Sequence, residues 1–175
     1  LVIKGYQSPS LTYHTNIIGT LNVLRGASIS KKLKSILIST TDKVYSNLKR
    51  KKKSFIETDR LGGNDPYSGS KAASEILIDS YYRSFLHNKK NLLVVRAGNV
   101  VGGGDFSKNR LIPDFFKSLK NSKHFMLRNP NSIRPWQYVI DCIYTYILMI
   151  QKIHILNKYY NHFNIGKKYN KKFTT

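Results

Sequence analysis

The chain has 175 residues, 41% of them hydrophobic, and no apolar run as long as the roughly eighteen residues of a spanning helix, so one soluble folded domain and no membrane are expected. Its 30 Lys and Arg against 9 Asp and Glu give a formal net charge of +21, but the lysines are scattered with local clusters at 31–34, 49–53 and 167–172. No zinc-finger spacing, basic heptad helix or aromatic ribonucleoprotein signature accompanies them, so the charge reads as compositional drift rather than dedicated nucleic-acid binding, and the single Cys142 excludes an internal disulfide framework and a multi-cysteine metal site and fits a reducing cytoplasm.

In chain order, Ile17, Ile18, Leu21 and Leu24 recur at helical spacing and predict a helix over 12–27, ended near Gly26 and Ser28. Ser35–Ser39 is a short apolar run bounded by polar residues, the pattern of a strand buried on both faces of a parallel sheet. Residues 47–64 are basic, polar and Gly-containing and read as a loop. Pro66 then opens a helix expected to reach about His87, with Ala72, Ile76, Leu77 and Tyr81 as its apolar positions. Residues 92–95 make a second buried strand, followed by the glycine-rich Gly102-Gly103-Gly104-Asp105, and helices are predicted over 111–120 and 137–152. The Lys/Tyr/Asn-rich tail from Asn157 is expected to fray. Helices alternating with buried strands give an α/β class with a parallel sheet, in which ligands sit beyond the carboxyl ends of the strands.

Two groups of residues fall where such a fold handles ligands. Tyr67 and Lys71, four apart at the start of a helix, project from one face, and an ammonium near a phenol favours the phenolate, making a base for a hydroxyl proton. Taken alone the pair fits a solvated helix face equally well. Thr40, Thr41, Asp42 and Lys43 follow the Ser35–Ser39 strand directly and bring a hydroxyl, a carboxyl and an amine to its carboxyl end; a turn or helix cap would use the same residues.

The order of these groups, together with Asn16-Ile-Ile-Gly19-Thr20, Asp65-Pro-Tyr67-Ser-Gly-Ser-Lys71, Arg96-Ala-Gly-Asn99-Val-Val-Gly-Gly-Gly-Asp105 and Arg128-Asn-Pro-Asn-Ser-Ile-Arg134-Pro-Trp136-Gln, resembles the extended short-chain dehydrogenases, specifically the sugar-nucleotide 4,6-dehydratases. The resemblance runs from about Tyr6 to Ile150, and its last two segments and Lys43 are closer to the CDP-glucose branch than to the dTDP-glucose branch. It implies a partial Rossmann-like parallel sheet with flanking helices, NAD as cofactor, a nucleotide sugar as substrate and a homodimeric cytoplasmic full-length relative. The implied reaction oxidises C4 of the sugar, removes water across C5 and C6, and returns the hydride to C6. Tyr67 would be the base at the 4-hydroxyl, Lys71 would hold the nicotinamide ribose and tune Tyr67, Thr41 would hydrogen-bond the 4-oxygen, and Asp42 would protonate the departing 6-hydroxyl. Lys43 stands where the C5 base is expected, a task that asks for burial or a positive neighbour. The same resemblance puts Thr40 and Arg96 with Tyr67 and Lys71 at the cofactor, and Asn99, Arg110 and Arg134 at the substrate. No metal is implied.

The family's amino-terminal dinucleotide-binding strands and its Gly-x-x-Gly-x-x-Gly turn have no counterpart in the sequence, and Gly102-Gly103-Gly104 does not replace them. The expectation is therefore a central fragment of such a domain, inactive by itself. An epimerase or reductase with the same Tyr-x-x-x-Lys pair, needing neither Asp42 nor Lys43, and a degenerate basic remnant that binds nucleic acid non-specifically are the alternative readings.

Overall fold

A computed structural model describes residues 2–46, 54–122, 124–127, 130–132, 134–153, 155 and 159–166. Helical structure begins with α1 (Val2–Gln7) and continues through α2 (Pro9–Tyr13), a π-helical turn (His14–Ile18) and α3 (Gly19–Ile29). Pro9 stands at the first turn of α2, where its missing N–H is no loss, and extended Ser8 separates α1 from it. The helix expected over 12–27 is thus the later part of a longer helical run. Leu24 and Ala27 of α3 turn inward to the core.

Three strands, β1 (Ser35–Ser39), β2 (Asn91–Ala97) and β5 (Tyr160–Ile165), form a parallel sheet in the order β1-β2-β5, with Ile36 opposite Leu92 and Leu92 opposite Tyr160. The central strand β2 is buried from Leu92 to Ala97, as its unbroken apolar run requires when both faces are covered. Between β1 and β2 lies α4 (Pro66–Tyr81), which a π-helical turn (Tyr82–Leu86) carries close to the end expected from sequence. Its Ile78, with Tyr82 and Leu86 beyond it, packs on Ile36, Leu92 and Val94 in the main core cluster, and Tyr82 stacks on Tyr160 at 4.3 Å. At α4's other face small side chains let α3's lead-in approach closely: Asn16 Nδ2 donates to Ser70 Oγ at 2.8 Å and Ser74 Oγ to the Asn16 carbonyl at 3.0 Å.

The structure corrects the sequence reading in two places. Asn99–Val101 (β3) and Trp136–Tyr138 (β4) pair in parallel as a separate two-stranded sheet, so the helix expected from Gln137 starts later, as α6 (Val139–Ile153). The tail expected to fray contributes β5, which hydrogen-bonds along β2 over Tyr160–Ile165. The loop over 47–64 is described only from Ser54, and there Leu61 bridges to Tyr45. Helix α5 (Leu111–Lys120) lies where expected.

Candidate active site

The carboxyl ends of β1, β2 and β3 open onto one large cleft of about 1710 Å³, wider than the roughly 300–1,000 Å³ of ordinary small-molecule sites and roomy enough for a nucleotide-sized ligand. Thr40, Thr41, Lys43, Tyr67, Asn99, Arg110 and Arg134 all line it. Residues far apart in sequence, proposed separately for catalysis and for substrate, therefore share one surface.

Local chemistry sets Tyr67 in place. Asp65 caps α4: one carboxylate oxygen accepts from the backbone N–H groups of Tyr67 and Ser68, each at 3.0 Å, the other accepts from the Ser68 hydroxyl, and Pro66 pre-sets the first turn. A Cβ on Gly63 would stand 2.4 Å from the backbone of Ser68 and Gly69, so only glycine lets the preceding loop lie this close to the first turn. On the facing side, Thr41 caps a short 3₁₀ turn (Asp42–Val44), its hydroxyl accepting from the Lys43 N–H at 3.4 Å. The cap reading of this segment is correct, and Thr41 also lines the cleft with Tyr67, close enough for its side chain to favour the phenolate. The two motifs meet at that cleft.

Burial raises the Tyr67 phenol above its ordinary pKa, the Thr41 side chain opposes this, Asp42 adds to the rise, and Arg110 acts against it. The sequence reading expected a lowered value; removal from water outweighs the favourable neighbours. Lys71, one turn on, is lowered by burial, against which the Glu75 carboxylate acts. Asp42 accepts from the Thr41 hydroxyl at 3.2 Å and stands 3.8 Å from the Lys43 ammonium. Lys43 is 45% exposed, so the burial asked of a C5 base is not supplied. At the far side Arg110 pairs with Asp105 at 2.9 Å, at the mouth of the glycine-rich turn, where Gly104 has φ +83°, a conformation that favours glycine.

Asp42, Lys71 and Arg96 are the expected site residues that are not among those lining the cleft, and of these Arg96 is turned into the core. It is 3% exposed, and its guanidinium bonds both carboxylate oxygens of Glu75, the Tyr45 hydroxyl at 2.8 Å and the Glu57 carbonyl at 2.9 Å. Donors committed to buried acceptors do not reach a cofactor, so Arg96 serves the fold beneath the site. Thr40 has both aspects: it lines the cleft and donates to Glu75 Oε1. Sequence reasoning missed Glu75, although its position four residues after Lys71 places it on the same helix face; it also missed Asp65 as a cap, which an Asp directly before a helix-opening Pro signals.

The fold and the cleft define a parallel α/β protein with a Tyr-x-x-x-Lys centre at the carboxyl end of its sheet. Residues 2–166 match the NAD dependent epimerase/dehydratase family, and the chain belongs to that family. It is 38% identical to a CDP-glucose 4,6-dehydratase of Salmonella typhimurium over 88% of its own length and 44% of the relative's. It is 31% identical to a dTDP-D-glucose 4,6-dehydratase of Dictyostelium discoideum over 86% of its length and 35% of that protein's. Among solved structures, a dTDP-glucose 4,6-dehydratase from Bacillus anthracis in complex with NAD superposes with a TM-score of 0.75 at 28% identity, covering 88% of this chain and 47% of that one. The chain therefore spans less than half the length of each of these relatives.

Proposed function

We propose that the chain carries the proton-handling and substrate-binding part of an NAD-dependent nucleotide-sugar 4,6-dehydratase that acts on CDP-glucose. The observation that carries this reading is the shared cleft: Thr41 of the strand-end group and Tyr67 of the helix pair line it together with Asn99, Arg110 and Arg134. The 38% identity to the Salmonella enzyme supports the nucleotide assignment.

The nicotinamide end of NAD fits the residues present, since Thr40 and Tyr67 line the cleft and Lys71 follows Tyr67 by one turn of α4. The sequence holds no Gly-x-x-Gly-x-x-Gly turn for its pyrophosphate, so the fit extends to that end alone. Bound NAD supplies the acceptor and later the donor of the sugar's hydride. Tyr67 takes the proton of the 4-hydroxyl, and the nearby Thr41 side chain favours the phenolate against the cost of burying its charge. Lys71, positively charged, supports that phenolate. Asp42 gives a proton to the departing 6-hydroxyl, and a carbonyl at C4 makes the C5 proton acidic; Lys43 lines the cleft there but, exposed and beside the Asp42 carboxylate, is not assigned the role of C5 base. Arg110 and Arg134 hold the pyrophosphate and Asn99 supplies a donor beside it.

The test joins this chain to the amino-terminal segment of the Salmonella relative, adds NAD and CDP-glucose, and follows 4-keto-6-deoxyglucose by its absorbance in alkali. The joined protein is expected to form product, the 175-residue chain alone none, and Tyr67→Phe is expected to lower turnover by about 10²- to 10⁴-fold. A joined protein that binds NAD yet returns only a C4 epimer overturns the dehydratase assignment in favour of an epimerase.

A further inference from the structure

The parallel sheet runs β1-β2-β5, so β1 carries a ladder on one side and, among the described residues, no strand of the sheet on the other. Its sequence, Ser-Ile-Leu-Ile-Ser, holds neither a charge nor a proline to guard that outer edge. The two faces of β1 meet different helices. Ile36 and Ile38 pack in the main core cluster with residues of α3 and α4. Ser39, whose side chain alternates to the opposite face, hydrogen-bonds Tyr146 of α6 at 3.1 Å. Burial follows the missing neighbour: β2 is buried from Leu92 to Ala97, whereas in β1 Leu37 and Ile38 are half-buried and Ser39 is exposed.

Helix α6 is apolar on two sides. Cys142 and Ile153 turn inward, and its charged residues are Asp141 and Lys152 alone. A second stripe, Ile140, Ile143, Tyr144 and Ile147 at i, i+3, i+4 and i+7, is between 46% and 60% exposed. A helix apolar all round is one that a domain buries on every side, so this stripe lacks a neighbour that its sequence provides for.

Both features fit one kind of occupant. A strand laid parallel to β1 needs a crossover, usually a helix, that returns along a face of the sheet, and on the α6 face that helix lies beside α6. A second copy of this chain is disfavoured, because it brings another net charge of +21 to the contact. The longer relatives point to the alternative: the chain covers 44% of the Salmonella enzyme, and the family's amino-terminal dinucleotide-binding strands have no counterpart in its sequence.

We propose that the open edge of β1 and the outer stripe of α6 form one docking surface, on which a dinucleotide-binding segment supplied as a separate polypeptide assembles without a covalent link. The added polypeptide pairs a strand with β1 and lays an apolar helix against Ile143 and Ile147. For the identity of the occupant the proposal rests on the family to which the chain belongs, and it does not depend on CDP-glucose being the substrate.

The experiment co-expresses the 175-residue chain and a tagged amino-terminal segment of the Salmonella relative as two polypeptides, then isolates the tag. The chain is expected to co-elute in a 1:1 ratio. Its β1 amides, followed by hydrogen–deuterium exchange, are expected to exchange at least about tenfold more slowly in the complex than in the chain alone. Ile143→Asp with Ile147→Asp, at exposed positions and with folding checked by circular dichroism, is expected to weaken the complex at least about tenfold. Should that pair fail to fold, Ile143→Ser with Ile147→Ser is expected to weaken it in the same direction. Ile76→Asp, at a 62% exposed position of α4, is expected to leave the complex unchanged. Absence of co-elution, co-elution that the α6 substitutions leave intact, or a tagged chain that instead retains an untagged copy of itself through the same stripe overturns the proposal. The readout needs neither NAD nor CDP-glucose. Pieces that assemble while the joined protein forms no product count against the dehydratase reading alone, and an active joined protein whose pieces do not assemble counts against this inference alone.

Discussion

Two carboxylate–guanidinium pairs in this fold share one chemistry in opposite surroundings. The side chains of Glu75 and Arg96 are 0% and 3% exposed, and those of Asp105 and Arg110 are 31% and 48% exposed. The buried pair has its remaining donors and acceptors taken up by Thr40, Tyr45 and the Glu57 carbonyl, so it is committed to the fold. The rim pair sits in water at the edge of the cleft, where screening leaves an ion pair worth on the order of 1 kcal/mol or less, and Arg110 can exchange its partner for a phosphate at small cost. Arginine identity says nothing about which role a residue has; burial and the count of satisfied donors decide it.

The sharpest way to break this contrast is to remove one member of the buried pair. Glu75→Ala strands the Arg96 charge, and a loss of about 3–5 kcal/mol is expected, read by urea denaturation monitored by circular dichroism. Removing both charges, with Glu75→Gln and Arg96→Gln together, should cost clearly less. If Glu75→Ala changes stability by under about 1 kcal/mol, the pair is not the keystone described here. At the rim, Arg110→Ala should leave stability within about 0.5 kcal/mol and, in the joined protein, raise the KM for CDP-glucose by about tenfold or more with a smaller change in kcat. A stability loss matching that of Glu75→Ala would erase the distinction between the two regions.

The smallest effect is a pH dependence. The His162 pKa lies below its ordinary 6.5 in the folded chain because of burial and then Arg96. The unfolded state therefore binds the proton first: the stabilising contribution is complete above about 6.5 and is lost as pH falls through the folded-state value. Melting temperatures measured between about pH 7.5 and 5 should fall on acidification, and His162→Gln should flatten that fall.

How much of this was readable without coordinates differs by region. Strands β1 and β2 and helices α4 and α5 were legible because each carries its own period and its own punctuation, such as the Asp65-Pro66 start of α4. Thr41, Tyr67 and Lys71 were legible because a strand end and an i, i+4 helix pair are local features with known directions. The fold class and the family followed from their order, and the match over residues 2–166 bears both out. Strands β3, β4 and β5 were not legible, since β3 and β4 are only three residues long and β5 mixes polar and apolar residues without a clear alternation, so none carries a strand signal until a partner strand is in place. Arg96 was assigned to the cofactor for the same reason: its sequence neighbours give no hint of Glu75 on another element.

The sequence by itself determined the α/β alternation, the helix that presents Tyr67 and Lys71 together, and the strand end that presents Thr41, because these depend on contacts within a few residues. Only the tertiary structure decided that Thr41 and Tyr67 line one cleft, that Glu75 and Arg96 form a buried pair, and that the tail closes the sheet as β5. Each of those depends on segments tens of residues apart meeting in a low-dielectric interior, where pairing and burial are settled together and no local pattern records the partner.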